Sequence, residues 1–327
     1  MKAKFLSIYI LFFCFVVMKA VDVSTVEELH QALANAKPGQ TIFIAPGEYD
    51  YSTYEDNTSF KIRVDGTEAA PITLTAKDPN DPPFLRGPRV RDNAVLSFNG
   101  NYWIIENIKL GISSQAIAMT KGNHNIVRNV EMFSLGSSGV FLRETCTNNL
   151  FENCYIHNTG VYNDMYGSGF AIRHQSNNNI IKGCVFRHVS SWHIHIEEYT
   201  SENEIVGNIF YGDGINGKNE ANTFISINGD DNYILNNVGY RNLNKHISAA
   251  FEIKKVVEDS GDGNRFVNNA LFMDRPYGEK DKEKKMYIVD GVDAQFYVKN
   301  NRVDYGEGLI NANTVEYYNS DSVTFLE

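Results

Sequence analysis

Five positions spaced by 24 to 31 residues carry the side chains from which chemistry could be built: Arg143, Arg173, Glu197, Asn228 and Lys254. Each follows a short run in which apolar residues alternate with something else. These runs are Val140-Phe141-Leu142, Phe170-Ala171-Ile172, Ile194-His195-Ile196, Ile225-Ser226-Ile227 and Phe251-Glu252-Ile253. In a strand, alternate residues face opposite sides, so the apolar pair points inward and the rest outward. Stacked, the runs give a second outward column of Phe141, Ala171, His195, Ser226 and Glu252. A third column at the strand ends holds Glu144, His174, Glu198, Gly229 and Lys255. Such a ribbon suits an acidic polysaccharide. β-Elimination at a uronic acid needs a cation against the carboxylate, a base for the C5 proton and an acid for the leaving oxygen. Arg173, His174, Arg143 and Lys254 are the candidate catalytic groups, the guanidinium being well shaped for a carboxylate. His195 and Asn228, with Tyr162 and Tyr166 as sugar-stacking rings, are the candidate substrate contacts. Glu197, Glu198 and Glu252 are the acids that could hold Ca²⁺.

Other groupings compete. His193, His195 and Glu197 share one parity on a strand, which a metal could use. Asp230-Asp231 has the look of a hydrolase carboxylate pair, but Gly229 and Asn232 around it are what a plain turn would use. A carbohydrate-binding protein without catalysis, and a glycoside hydrolase, are the alternatives to a lyase.

The elements that must position these residues come from a repeat. Two apolar residues, one variable residue and Asn recur as Ile104-Ile105-Glu106-Asn107, Ile126-Val127-Arg128-Asn129 and Leu150-Phe151-Glu152-Asn153. They return with Gly183 after Ile180-Ile181-Lys182, then at Asn208, Asn237, Asn269 and Asn300. Anchors 22 to 32 residues apart, joined by strand-like runs, define turns too short to bury a face alone, so they must stack. The expected fold is all-β: a single-stranded parallel β-helix, with clear coils over about 101–303. The anchor Asn side chains are expected to form one ladder broken at Gly183, and Leu110, Met132, Ile156, Phe186, Tyr211, Tyr240, Phe272 and Val303 to recur as apolar positions three residues later. Ser24-Thr25-Val26-Glu27 reads as a capping box. Val26, Leu29, Leu33 and Ala36 then share a helical face that could cover the open end of the solenoid, with Thr41–Ile44 as the first strand.

The stretch from Val23 through Ala45-Pro46-Gly47, Gly66-Thr67, Ala70-Pro71-Ile72 and Leu74 resembles the opening of right-handed β-helix proteins of the pectate lyase superfamily, and is most similar to the chondroitinase B and alginate lyase branch. The resemblance implies a right-handed helix, in line with the handedness of parallel crossovers. It also implies that Arg173-His174 matches an Arg-His-Gly segment supplying a catalytic Arg, with Gln175 in place of Gly. The branch's catalytic Lys and nearer calcium Glu fall on Glu144 and Gly139, so that part of the pattern is missing. Phe251-Glu252-Ile253-Lys254 with Gly261-Asp262-Gly263-Asn264 is similar to the Lys-bearing coil of another pectate lyase group.

Composition bounds the rest. The 327 residues are 43% hydrophobic and 12% aromatic, enough for a large core and too apolar for disorder. A net charge of −10 argues against a nucleic-acid partner. Residues 1–20 read as a signal peptide, with Lys2 and Lys4 before the apolar run Phe5 to Met18. Residues 21–327 are then expected to form one secreted, extracellular, monomeric domain with no membrane partner, and losing three lysines moves its charge to −13. Cys146, Cys154 and Cys184 remain, the last two expected as a buried pair of thiols on adjacent coils. Asn57-Thr58-Ser59 is a glycosylation sequon.

Overall fold

The computed structural model describes residues 20–55, 58–162, 167–213, 223–241, 247, 249–254, 257, 260–272, 285–290, 295–304, 309–311, 316–318 and 324–326. Each coil contributes one strand to each of three long sheets, and coils add in register one above the other. Sheet A contains Trp103–Glu106, Ile126–Arg128, Leu150–Glu152 and Ile180–Lys182; sheet B contains Lys109–Ser113, Glu131–Leu135 and Tyr155–Thr159. Sheet C contains Ile117–Thr120, Val140–Arg143, Phe170–Ile172, Ile194–Ile196, Ile225–Ile227 and Ala249–Lys254. The pairing is parallel throughout apart from Arg302–Asp304 with Leu309–Asn311, which closes one edge of sheet B near the C-terminal end. Inward residues stack coil upon coil: Val140, Phe170, Ile194 and Ile225 are all fully buried, as are Leu142, Ile172, Ile196, Ile227 and Ile253.

Strands earlier than the repeat predicts belong to the same sheets. Ala20–Val23 pairs with Thr41–Ile44, so Thr41 opens the second strand of sheet A, and Ala20 is itself in a strand. The helix runs Val26–Asn35 with Leu29 and Leu33 buried. Its capping box lies one residue later than the sequence suggests. Thr25 is the N-cap and Glu28 its reciprocal partner, which also accepts from the Ser24 amide at 2.7 Å.

The Asn column is two columns. Strand pairing aligns Ile104, Ile126, Leu150 and Ile180 with Glu204, Tyr233, Arg265 and Tyr297. The corner between sheets A and B therefore has two positions. The first holds Asn107, Asn129, Asn153, Gly183, Gly207, Asn236, Asn268 and Asn300, every one at φ between 53° and 64°. Only Gly and Asn adopt this region cheaply, which explains the residue types. The second position points inward and holds Cys154 and Cys184, then Asn208, Asn237, Asn269 and Asn301. In the buried ladder each Asn Oδ1 accepts the backbone and side-chain N–H of the Asn one coil earlier, at 2.9–3.0 Å. The expected single ladder mixed these positions: Gly183 pairs in register with Gly207, one residue before the Asn208 chosen as anchor, and Asn237 and Asn269 carry the same one-residue shift. The same slip misplaced Tyr211, Tyr240 and Phe272. Phe210, Gly239 and Leu271 fill the inward positions, and the three rings stack outside at 5.3 and 5.0 Å. A further buried ladder, Asn125, Asn149, Asn179, Asn203, Asn232 and Asn264, lines the corner between sheets C and A. Cys146, Cys154 and Cys184 are buried free thiols.

Candidate active site

The outer face of sheet C carries the chemistry, and its register is the one the alternation predicts. One outward column reads Phe141, Ala171, His195, Ser226 and Glu252. Arg143, Arg173, Glu197, Asn228 and Lys254 follow two residues on, each where its strand ends. The third set does not lie on the sheet: Glu144 and His174 sit at positive φ in the corner beyond it, and Lys255 lies outside the described residues.

Arg143 and Arg173 occupy neighbouring coils, and repulsion between them is relieved in two ways. Arg143 turns away, its Nε donating to Thr120 Oγ1 at 3.0 Å. Arg173 places Nε 2.7 Å from Glu197 Oε1, although its N–H is not aimed at that oxygen. Both guanidiniums approach the Phe141 ring, Arg143 with its Cζ 5.8 Å and Arg173 with its Cζ 5.1 Å from the centroid. At the far side, Lys254 Nζ is 3.0 Å from Glu252 Oε1 and reaches back to within 5.7 Å of the Trp192 ring. Trp192 in turn stands 4.5 Å from the His195 ring.

His195 is thus central, with Arg173 to one side and Lys254 to the other. Burial, with a smaller push from those two cations, lowers its pKa to about 3, so it is a neutral imidazole at ordinary pH. Burial raises the Glu197 carboxyl, and Arg173 opposes the shift. Five buried polar atoms on and beside this face have no hydrogen-bond partner among the described residues: Arg173 Nε, Trp192 Nε1, Ser226 Oγ, Asn228 Oδ1 and Glu252 Oε2. Unpaired buried polar atoms cost about 1–3 kcal/mol each and are uncommon, so such a concentration marks a surface built to receive something polar.

The remaining expectations divide. His193 does not join His195 and Glu197. It lies in the turn before the strand, 1% exposed, with its ring among Phe186, Phe210 and Phe224. Of the acids Glu197, Glu198 and Glu252, the first and last are not brought together. Glu197 faces Arg173, Glu252 faces Lys254, the two acids stand two coils apart, and no three metal-binding side chains converge among the described residues. His174 is exposed at the corner, close enough to Glu197 to act on its charge. Tyr162 is 58% exposed with the Arg91 guanidinium 4.8 Å over its ring, on the loop from sheet B to sheet C. Tyr166 and Asn57 lie outside the described residues. Asp230 and Asp231 form the turn: Asp230 Oδ1 accepts the Asp262 amide, and Asp231 has φ 51°. Trp192 escaped the sequence reading because it stands in a turn outside the repeat.

A right-handed β-helix with one ribbon of charged and polar side chains along a single sheet is the class defined by this fold and face. The sequence matches the Pel9A-like right-handed β-helix region over residues 18–193, and the chain belongs to that family. Among solved structures it is similar to an alginate lyase from Paenibacillus sp. str. FPU-7, at 27% identity and TM-score 0.80, covering 94% of this chain and 98% of that one. It also resembles the PL6 family polysaccharide lyase Pedsa3628 from Pseudopedobacter saltans (19% identity, TM-score 0.58, 86% of this chain and 64% of that one). A GH136 lacto-N-biosidase from Eubacterium ramulus shares the fold at 11% identity and TM-score 0.61, over 94% and 68% of the two chains. No curated protein sequence matches the chain.

Proposed function

We propose that the protein is a secreted polysaccharide lyase that cleaves a uronic-acid polysaccharide of the alginate type by β-elimination on the outer face of sheet C. The observation that carries this reading is the placement of the His195 ring on the outer face of sheet C with Arg173 to one side and Lys254 to the other. The similarity to an alginate lyase across nearly the whole of both chains supports it, and residues 1–20 support secretion.

Arg173 receives the substrate carboxylate, drawing charge out of the carboxylate as the C5 carbanion develops. A ring nitrogen of His195 takes the C5 proton. The electron pair of that C–H bond becomes the C4=C5 double bond, the C4–O bond breaks, and the departing oxygen takes a proton from the Lys254 ammonium. An imidazole with so low a pKa is a weak base in the empty protein. A carboxylate seated at Arg173 offsets one of the two cations that add to the effect of burial, and so relieves the smaller part of that depression. Asn228 offers an unpaired oxygen to sugar hydroxyls.

Incubating the wild-type chain with alginate, pectate and chondroitin sulfate, with and without chelator, tests the reading. A lyase produces the ultraviolet absorbance of a double bond conjugated to the carboxylate. New reducing ends without that absorbance would identify a hydrolase, and binding without either product a carbohydrate-binding protein.

A further inference from the structure

The outward columns of sheet C continue toward the N-terminal end beyond the residues considered above. Phe60–Ile62 pairs with Leu96–Phe98, which pairs with Ile117–Thr120, so Lys61, Ser97 and Ala118 precede Phe141 in its column. Arg63, Asn99 and Thr120 likewise precede Arg143 and Arg173. Along these two columns the charges are segregated. From Lys61 and Arg63 to Arg173 every charged residue is a cation, and the acids Glu197 and Glu252 begin only on the far side.

Arg63 is exposed and already oriented. Its Nη1 donates to Ser97 O at 2.7 Å and to Asn99 Oδ1 at 2.8 Å, and its Nη2 donates to Ser97 Oγ at 3.0 Å. These acceptors are all neutral, and no carboxylate pairs with Arg63 among the described residues. They fix the guanidinium along the ribbon while leaving its Nε–H and one Nη2 hydrogen to present outward, the edge that grips a carboxylate with two bonds. Between Arg63 and Phe141 the floor is built from short side chains, Ser97, Ala118 and Thr120, which keep it low.

From these observations, and resting on the proposed function, we infer that Arg63 is a distal carboxylate-binding subsite that holds the same polyuronate chain whose cleaved residue sits at Arg173 and His195. The two arginines are four coils apart, about 19 Å at the usual strand spacing. The chain then lies along the cationic half of the ribbon, parallel to the solenoid axis, with Arg143 as an intermediate cation. The site gains affinity with chain length up to the span between Arg63 and Arg173.

The test is calorimetric titration with oligomannuronates from disaccharide to hexasaccharide and with alginate. The parent protein and the Arg63→Ala and Arg63→Lys variants are compared in a His195→Ala background so that no ligand is consumed. The parent should bind long ligands more tightly than short ones. Arg63→Ala should lose about fivefold to tenfold of that gain, the scale of a partly exposed charge-assisted hydrogen bond, and less at high salt. Arg63→Lys should keep part of it. Arg63 is exposed, and equal melting temperatures will confirm intact folding. Superimposable affinities at every length would overturn the inference and leave the lyase reading standing. Loss of the gain in Arg63→Ala, with no unsaturated product from wild-type protein, would keep the inference and overturn the lyase. Failure of every oligouronate and of alginate to bind would overturn both.

Discussion

Lowering the pH should weaken the fold through His193, and replacing that residue by Phe should remove its share of this sensitivity. The His193 Nε2–H donates to Tyr211 O at 2.9 Å, which fixes the proton on Nε2. The buried Nδ1 faces three aromatic rings and has no partner. Burial lowers the pKa to about 4 from the model-peptide value of 6.5, with the Tyr211 carbonyl and Asp213 opposing. A folded pKa below the unfolded one means that the unfolded chain binds more protons between those values. Stability is therefore complete above about pH 6.5 and is lost as pH falls toward 4. At pH 5 the loss relative to pH 8 is about 2 kcal/mol from this residue alone. His195 contributes in the same direction to both proteins, so its share cancels in the comparison. His193→Phe keeps an aromatic ring in the cage and loses one hydrogen bond, a cost of about 1 kcal/mol that is the same at both pH values. Urea unfolding at pH 8 and pH 5 should show a wild-type drop in stability exceeding that of the variant by about 2 kcal/mol. Equal drops would refute the reasoning, because protonation of His193 would then cost the fold nothing.

Two further outcomes follow from the corners of the coil. Asn237→Ala strips the acceptor from the Asn208 amide and side chain and the donor from Ile205 O and Asn269 Oδ1. It should cost about 3–5 kcal/mol in urea unfolding, and a loss below 1 kcal/mol would show that the ladder is not cooperative. Cys154 and Cys184 occupy successive inward corner positions, and burial together with their mutual contact raises the Cys154 thiol well above its usual range. Both should resist alkylation until the chain is unfolded. A Cys154–Cys184 disulfide in native protein would contradict the parallel placement of their side chains.

Period-two alternation was the most legible signal for the site. It placed Arg143, Arg173, His195, Glu197, Asn228, Glu252 and Lys254 on one face because the apolar partners of sheet C are unmistakable. The A-to-B corner was harder. Asn serves there both as a left-handed corner residue, as at Asn129, and as an inward ladder residue, as at Asn208, and a pattern of residue types does not separate the two jobs. The Asn125-to-Asn264 ladder was legible, since each member stands directly before its sheet A strand, yet it lay outside the chosen repeat. Phe60-Lys61-Ile62-Arg63 shows the alternation plainly but precedes the clear coils. Loop contributions such as Trp192 depend on how a turn folds back over the sheet, and local pattern carries little of that. The inward turn of His193 has the same origin: it sits before its strand, where alternation does not yet hold.

The most direct test of the central claim is the rate of ultraviolet absorbance gain on alginate, measured side by side for wild type, His195→Ala and Arg173→Ala. Proton abstraction by His195 and carboxylate neutralisation by Arg173 predict a clear wild-type signal and losses of at least about a hundredfold in each variant, with melting temperatures close to wild type. Wild-type cleavage that survives both substitutions at full rate would place the chemistry elsewhere and contradict the account.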